Sequence, residues 1–247
     1  MDTRKVYDIF FGKKIGTPAV VVLSGGQDST TCAYLAQHLH FGNVQPIMFD
    51  YGQRHTVELS FAMETSRKLG KRTDPVCMKD VFSFQKDCSL TSKDSFEVEK
   101  RVLGSGLEVP NTFVNARNAM FLTAAFGLAL SIGATHIYTG VSQTDYSGYP
   151  DCREDFVQSL QHALNTGYQS NIQICTPLMH LNKAETFFLS YLLGCYTEII
   201  SGTMTCYAGD TTKNEWGLGC GNCPACVLRK KGWEEYQQYR KESKEKE

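Results

Sequence analysis

The chain has 247 residues, 42% of them hydrophobic and 21% charged, with a formal net charge of −1. That length suffices for one substantial α/β core with a small appendage, and the near-zero charge argues against a broad surface for nucleic-acid phosphates. The longest apolar stretch, Ala119 to Ile132, carries Thr123 and Ser131 and is too short to span a bilayer. The N-terminal segment has only a brief apolar run broken by Asp8, unlike a secretory signal. Ten cysteines without such a signal point to a reducing compartment, so a cytoplasmic protein with no membrane partner is expected.

In chain order, the β-branched run Thr17–Leu23 predicts a first strand closed by Gly25 and Gly26. Asp28–His40 predicts a helix, Val44–Asp50 a second strand, and Thr56–Leu69 a second helix stopped by Gly70. Thr73–Met78 is a candidate third strand. Asn115–Ile132 predicts a long buried helix ending at Gly133, followed by a strand over Thr135–Val141. Helices near Arg153–Leu164 and Lys183–Leu193 flank a short strand, Asn171–Cys175. Strands alternating with helices predict an α/β fold, a parallel sheet with helices on both faces. Residues 1–200 form the main domain, with 79–110 an insertion or mobile loop. Residues 201–233 form a metal-binding segment, and 234–247 a charged tail read as a solvated helix without chemistry.

Between the first strand and helix stands Ser24-Gly25-Gly26-Gln27-Asp28-Ser29, followed by Thr30. Glycines there let the backbone approach an anion, and the helix start points its amides and dipole at it. No lysine follows, so this is not a Walker loop, and no dinucleotide glycine fingerprint is present. At the end of the second strand, Arg54 and His55 are candidate phosphate or carboxylate ligands, with Glu58 one turn on. Arg117 and Lys183 each fall in a helix's first turn, against the dipole, which favours a nearby anion. Asn182 and Glu185 have the spacing of a capping box. The loop after the fourth strand carries Asp145, Tyr146, Tyr149, Asp151 and Arg153. Its carboxylates suit paired N–H donors such as a guanine edge, and its rings suit stacking on a flat heterocycle. Cys206, Cys220, Cys223 and Cys226 can close a tetrahedral zinc site. An iron–sulfur cluster is the rival reading of the same spacing.

The pattern SGG-x-DS resembles the PP-loop of enzymes that cleave ATP between the α and β phosphates. With YGQRH, the TFV-x-x-RN segment, DYSGYPDCR, TPLM…KAET and TCY…CG-x-C-x-AC-x-LR, the chain from Ala19 to Trp233 resembles the 7-cyano-7-deazaguanine synthase family. The resemblance implies a Rossmann-like PP-loop ATP pyrophosphatase fold with a four-cysteine zinc knuckle, and usually a homodimer. It implies a ligase that turns 7-carboxy-7-deazaguanine, ammonia and two ATP, with Mg²⁺, into the 7-cyano product. Ser24, Gly25, Gly26, Gln27, Asp28, Ser29, Thr30 and Arg54 would bind the nucleotide, and Lys183, Asp28 and Arg117 would act in catalysis. Asp145, Tyr146, Tyr149, Asp151 and Arg153 would frame the heterocycle, and the four cysteines would hold structural zinc.

Two departures stand out. The family usually has Pro-Gly where this chain has Asn115-Ala116, which predicts a reshaped loop, and the stretch between Cys206 and Cys220 is longer, with Trp216 inside it. A paralogue that passes the activated acid to another amine, possibly on a protein, is the alternative these changes raise. A tRNA thiolase is disfavoured by the charge, and a non-catalytic deazaguanine-binding protein by the intact loop.

Overall fold

The computed structural model describes residues 1–53, 56–83, 100–144 and 149–244. Its elements in order are α1 (Thr3–Phe10), β1 (Ala19–Val22), α2 (Gln27–Leu39), β2 (Val44–Ile47), β3 (Phe49–Asp50), α3 (Val57–Lys68), β4 (Val76–Cys77), β5 (Lys100–Val102) and β6 (Glu108–Pro110). They continue with α4 (Arg117–Ile132), β7 (His136–Tyr138), a 3₁₀ turn (Pro150–Cys152), α5 (Glu154–Tyr168), β8 (Gln173–Cys175), α6 (Lys183–Leu192), α7 (Tyr196–Ser201), β9 (Lys213–Asn214), β10 (Gly217–Leu218) and α8 (Pro224–Lys244).

The central sheet is parallel, in the order β2-β1-β7-β8. β1 lies inside it, and Ala19, Val20 and Val21 are fully buried, as a strand covered on both faces requires. Pro46 sits on β2, at the sheet's edge, where a missing ladder donor costs least. One face of β1, with Ala19, Val21 and Leu23, packs against α1, α2, α6, α7 and α8. The other face, through Val20, meets Leu122, Ala125, Phe126 and Ala129 of α4 and Val157 of α5.

Most expected elements are present, with four differences besides two added short helices, α1 and α7. The second strand is broken at Met48, whose carbonyl accepts from Val76 N, so β3 pairs with β4 instead of continuing along β1. The predicted insertion contains an antiparallel hairpin, β5–β6, and residues 84–99 lie outside the described set. Only Leu122, Ala125, Phe126 and Ala129 of α4 are fully buried, while Leu130 and Ile132 are exposed, so this apolar helix is not enclosed as its composition suggests. α1 and α7 are short and lie beyond what periodicity revealed.

The tail is the fourth difference. It is helical as expected, but it continues α8 from the cysteine segment, and Tyr236 is fully buried. Its ring centroid lies 6.3 Å from Phe187, 6.4 Å from Phe188 and 5.7 Å from Tyr196. The charges face water, and one aromatic stripe seals α6. The Tyr236 hydroxyl is buried without a hydrogen-bond partner. Tyr236→Phe is therefore expected to stabilise the fold by about 1 kcal/mol, by removing an unsatisfied polar atom. Tyr236→Ala should cost about 3 kcal/mol or more through the cavity it leaves. Urea unfolding of both variants measures this; a tail lying in solvent would show neither effect.

Candidate active site

The first loop leaves the carboxyl end of β1, where open parallel sheets place their ligands. Gly25 turns the chain at φ +83°, and a Cβ there would stand 2.2 Å from the carbonyl oxygen of Glu58, so only glycine fits. The Ser24 and Ser29 hydroxyls are 3.0 Å apart, and Ser29 Oγ accepts from Ser24 N at 3.1 Å. The turn is thereby closed on itself. Gly26 caps α2 without a side-chain acceptor, which leaves first-turn amides open to an anion.

α6 begins at the opposite wall with the expected capping box, Asn182 Oδ1 accepting from Glu185 N at 2.9 Å and Glu185 Oε2 from Asn182 N at 3.0 Å. Glu185 also accepts from Asp2 N at 2.9 Å, tying α1 to this corner. The cap aims Lys183 inward, 7% exposed, with its Nζ 2.6 Å from Asp28 Oδ2. Asp28 Oδ1, both amide atoms of Gln27 and Thr30 Oγ1 are buried without hydrogen-bond partners. Such orphans are rare in a finished interior. Here they gather at one loop, as a site awaiting a polar ligand would have them.

Arg117 opens α4. Burial works against its charge, but Tyr51, Asp151, Tyr149 and Cys152 outweigh burial and raise its pKa above the ordinary arginine value. It lies over the Tyr51 ring at 5.8 Å. Ala116 before it has φ +60°, the conformation glycine adopts freely and alanine at roughly 1–2 kcal/mol. Arg101 of β5 donates to Phe113 O at 2.6 Å and to Asn115 Oδ1 at 2.8 Å. The Asn115-Ala116 pair is thus accommodated by local strain at Ala116 and by a clamp from the hairpin.

A cavity of ≈ 720 Å³ joins these walls, lined by Ser24, Gly26, Gln27, Asp28, Ser29, Arg117, Tyr149, Lys183, Thr205 and Tyr207 among others. Gly25 and Thr30 sit at the loop behind this lining. Tyr149 reaches Thr112 Oγ1 with its hydroxyl at 2.5 Å. Two expected substrate residues lie elsewhere. Asp151 is buried, its Oδ2 accepting from Asn118 N at 3.3 Å, where it serves the uncapped start of α4. Arg153 is exposed and lines a separate shallow hollow with Asp155 and Ser159. Arg54, Asp145 and Tyr146 lie outside the described residues.

The lining also holds Tyr51, Gln53 and Glu58 of the second motif, Thr205 and Tyr207 beside Cys206, and Lys231, to none of which the sequence alone gives a role at the site. Glu58 shared a segment with Arg54, and only the fold turns it inward. Burial pushes its carboxyl up to about 7, against the pull of Arg117 and a hydrogen bond from Gln53.

The four cysteines come together. Their Sγ atoms all lie within 4.8 Å of one another, with Cys206–Cys223 and Cys220–Cys226 at 4.0 Å. A tetrahedral ion with sulfur ligands at ~2.3 Å needs edges of about 3.8 Å, so the set fits one metal ion. Cys220 Sγ accepts from Asn222 N and Cys223 N, each at 3.4 Å, which fixes the turn of the knuckle. Trp216, from the hairpin β9–β10, is 5% exposed and covers the knot, which accounts for the long spacing before Cys220. Of the other cysteines described, Cys32, Cys152 and Cys195 are buried, Cys175 is half-buried and Cys77 is exposed.

A parallel α/β sheet with a phosphate-sized glycine turn, an inward lysine and a cysteine knot defines a nucleotide-using enzyme of the PP-loop class. The particular family follows from comparison with known proteins. The chain belongs to the family described as "Queuosine biosynthesis protein QueC", whose model matches residues 18–237. It is 46% identical over 220 residues to the 7-cyano-7-deazaguanine synthase of Wolinella succinogenes, covering 89% of this chain and 93% of that one. It is 45% identical to the enzyme of the same name from Lysinibacillus sphaericus, covering 91% and 97%. Among solved structures it is similar to the U34-tRNA thiolase NcsA from Methanococcus maripaludis, at 17% identity and a TM-score of 0.48, covering 78% and 63%.

Glu58 carries a pH signature. Its folded value near 7 stands above the ordinary carboxyl value of 4.5, so its contribution to stability is present below 4.5 and lost as pH rises through 7. Glu58→Gln should therefore match wild type near pH 4.5 and gain on it up to about pH 7, by about 1 kcal/mol after allowance for partial exposure. Urea midpoints at pH 5 and pH 8 test it; an advantage independent of pH would remove the buried-carboxyl assignment.

Proposed function

We propose that this protein is an ATP-dependent ligase that converts 7-carboxy-7-deazaguanine to 7-cyano-7-deazaguanine. The observation that carries the reading is the Lys183–Asp28 pair beside the open start of α2, within a QueC-family chain. A carboxylate is a poor electrophile. Its oxygen attacks the α-phosphorus of ATP, pyrophosphate leaves, and the acyl adenylate now has AMP as a good leaving group. Ammonia adds to the acyl carbon and AMP departs with loss of one proton, giving the amide. The amide oxygen attacks the α-phosphorus of a second ATP, pyrophosphate and one N–H proton leave, and departure of AMP with the remaining N–H proton gives the nitrile.

The groups around the cavity suit that sequence. The loop Ser24–Ser29 receives the phosphates on its amides and hydroxyls, and Lys183 and Arg117 offset charge on departing pyrophosphate. Mg²⁺ accompanying ATP would supply Lewis-acid charge, and the orphaned Asp28 Oδ1 is the oxygen suited to hold it. Tyr149 supplies an aromatic wall for the deazaguanine. Asp145, Tyr146 and Arg153 complete that frame in our reading, with Asp151 acting through the α4 terminus. The cysteine knot holds zinc: four thiolates leave no open position, which makes the site structural. The enzyme acts in the cytoplasm as a homodimer. Among the described residues no helix is long and apolar enough to cross a membrane.

The direct experiment incubates the protein with 7-carboxy-7-deazaguanine and ATP, with and without ammonium, and follows products by mass spectrometry. The nitrile is expected with ammonium and acyl adenylate without it; a protein carrying the deazaguanine mass would replace ammonia with a protein amine as acceptor. Lys183→Ala should slow pyrophosphate release by roughly 10²–10³-fold, the scale of one contact to developing charge. If affinity for the acid collapsed while the rate held, Lys183 would be an anchor for the acid. Elemental analysis should return about one zinc per chain, and Cys223→Ser should lower thermal stability because the metal is coupled to local folding. Stoichiometric iron would overturn the zinc assignment.

A further inference from the structure

Thr205 immediately precedes Cys206, on a segment that runs along the first loop: Met204 N donates to Gly25 O at 2.9 Å. Its hydroxyl oxygen accepts from Gln27 N at 3.3 Å and from Arg229 Nη1 at 3.0 Å. Arg229, on α8, is fully buried. Its other two nitrogens also donate, Nε to Trp216 O at 3.0 Å and Nη2 to Ile199 O at 2.5 Å. Burial lowers its pKa to about 10, which still leaves it protonated at neutral pH.

A hydroxyl offers two lone pairs and one hydrogen. Neither a guanidinium nor a backbone amide can accept, so both lone pairs of Thr205 are committed. The remaining hydrogen can only be donated. Among the described residues Thr205 makes no hydrogen bond to a protein acceptor, and it lines the cavity. It lies beside the start of α2: a Cβ on Gly26 would be 3.9 Å from Thr205 Oγ1. That is the positive end of the helix, where an anionic oxygen arrives. The Gln27 amide, the first of the helix, is taken by the threonine, so the hydroxyl presents a donor to the ligand in its place.

We propose that Thr205 is a nucleotide-binding residue that donates its hydroxyl proton to a phosphate oxygen of ATP. Arg229 is the positioning residue that fixes Thr205 as a donor and ties it to the cysteine knot. This deepens the ligase reading, because it names a further contact of the same site.

The test compares Thr205→Val, which keeps the shape and removes the donor, with Thr205→Ser, which keeps the donor. Calorimetric titration with Mg–ATP requires no turnover. Thr205→Val should weaken ATP binding and raise the KM for ATP by about tenfold or more, the scale of one hydrogen bond to a charged group. The KM for the acid and the zinc content should stay near wild type. The urea midpoint of Thr205→Val should fall because Gln27 N and Arg229 Nη1 lose their acceptor, and Thr205→Ser should lie within a few-fold of wild type in ATP affinity and keep the midpoint. In an Arg229→Lys background, the Thr205→Val effect should shrink, since the two act as a unit. If that background fails to fold, the two Thr205 variants decide alone. Equal ATP affinity in wild type and Thr205→Val overturns this inference. A wild-type protein that binds ATP but does not consume the acid overturns the ligase reading instead.

Discussion

The ion pair between Lys183 and Asp28 is the contact on which the rest of the structure depends. It joins residues 155 apart in sequence at 2.6 Å and brings the starts of α2 and α6 face to face. A lysine in the first turn of a helix opposes the dipole, and burying it adds a desolvation cost. Three features offset these: the Asp28 carboxylate, the Glu185 cap, and the tie from Asp2 N to that cap. Removing one partner of such a pair commonly costs about 3–5 kcal/mol, because the other charge is left stranded.

The same corner is closed from behind by α8. Gly232 passes so near Lys183 that a Cβ on it would lie 2.2 Å from the lysine Cβ. The helix that starts at the cysteine knot therefore presses directly on the lysine's backbone. Arg229 and Tyr236, on the same helix, fill the space on either side. The metal segment and the nucleotide loop are parts of one packed unit, although the sequence separates them by more than the length of the sheet.

Signals in the sequence are informative where the physics is local. The β-branched run of β1, the glycine turn, the Gly70 and Gly133 stops and the Asn182–Glu185 box each depend on a few neighbouring residues. The cysteine knot was legible for another reason: thiolates at that spacing have few other uses. What escaped depends on contacts across the chain. The tail reads as charged because most of its residues are, and only the packing of α6 shows that Tyr236 points inward. Asp151 reads as a recognition carboxylate, and only the fold shows that its Oδ2 accepts from Asn118 N at the start of α4. Thr205 and Glu58 stand within or beside recognised motifs, but only the fold shows that they line the cavity. The Asn115-Ala116 change is visible in the sequence, but the left-handed backbone at Ala116 and the Arg101 clamp on Asn115 emerge only from the fold.

The position of α8 also sets an order of assembly. Every strand of the central sheet, the first loop, Asp28 and Lys183 leave the ribosome before α8 does. Until then α6 lacks its aromatic seal, Thr205 lacks Arg229, and the cysteine set is missing Cys226. A nascent chain can form its sheet early yet cannot complete its nucleotide site until α8 has followed.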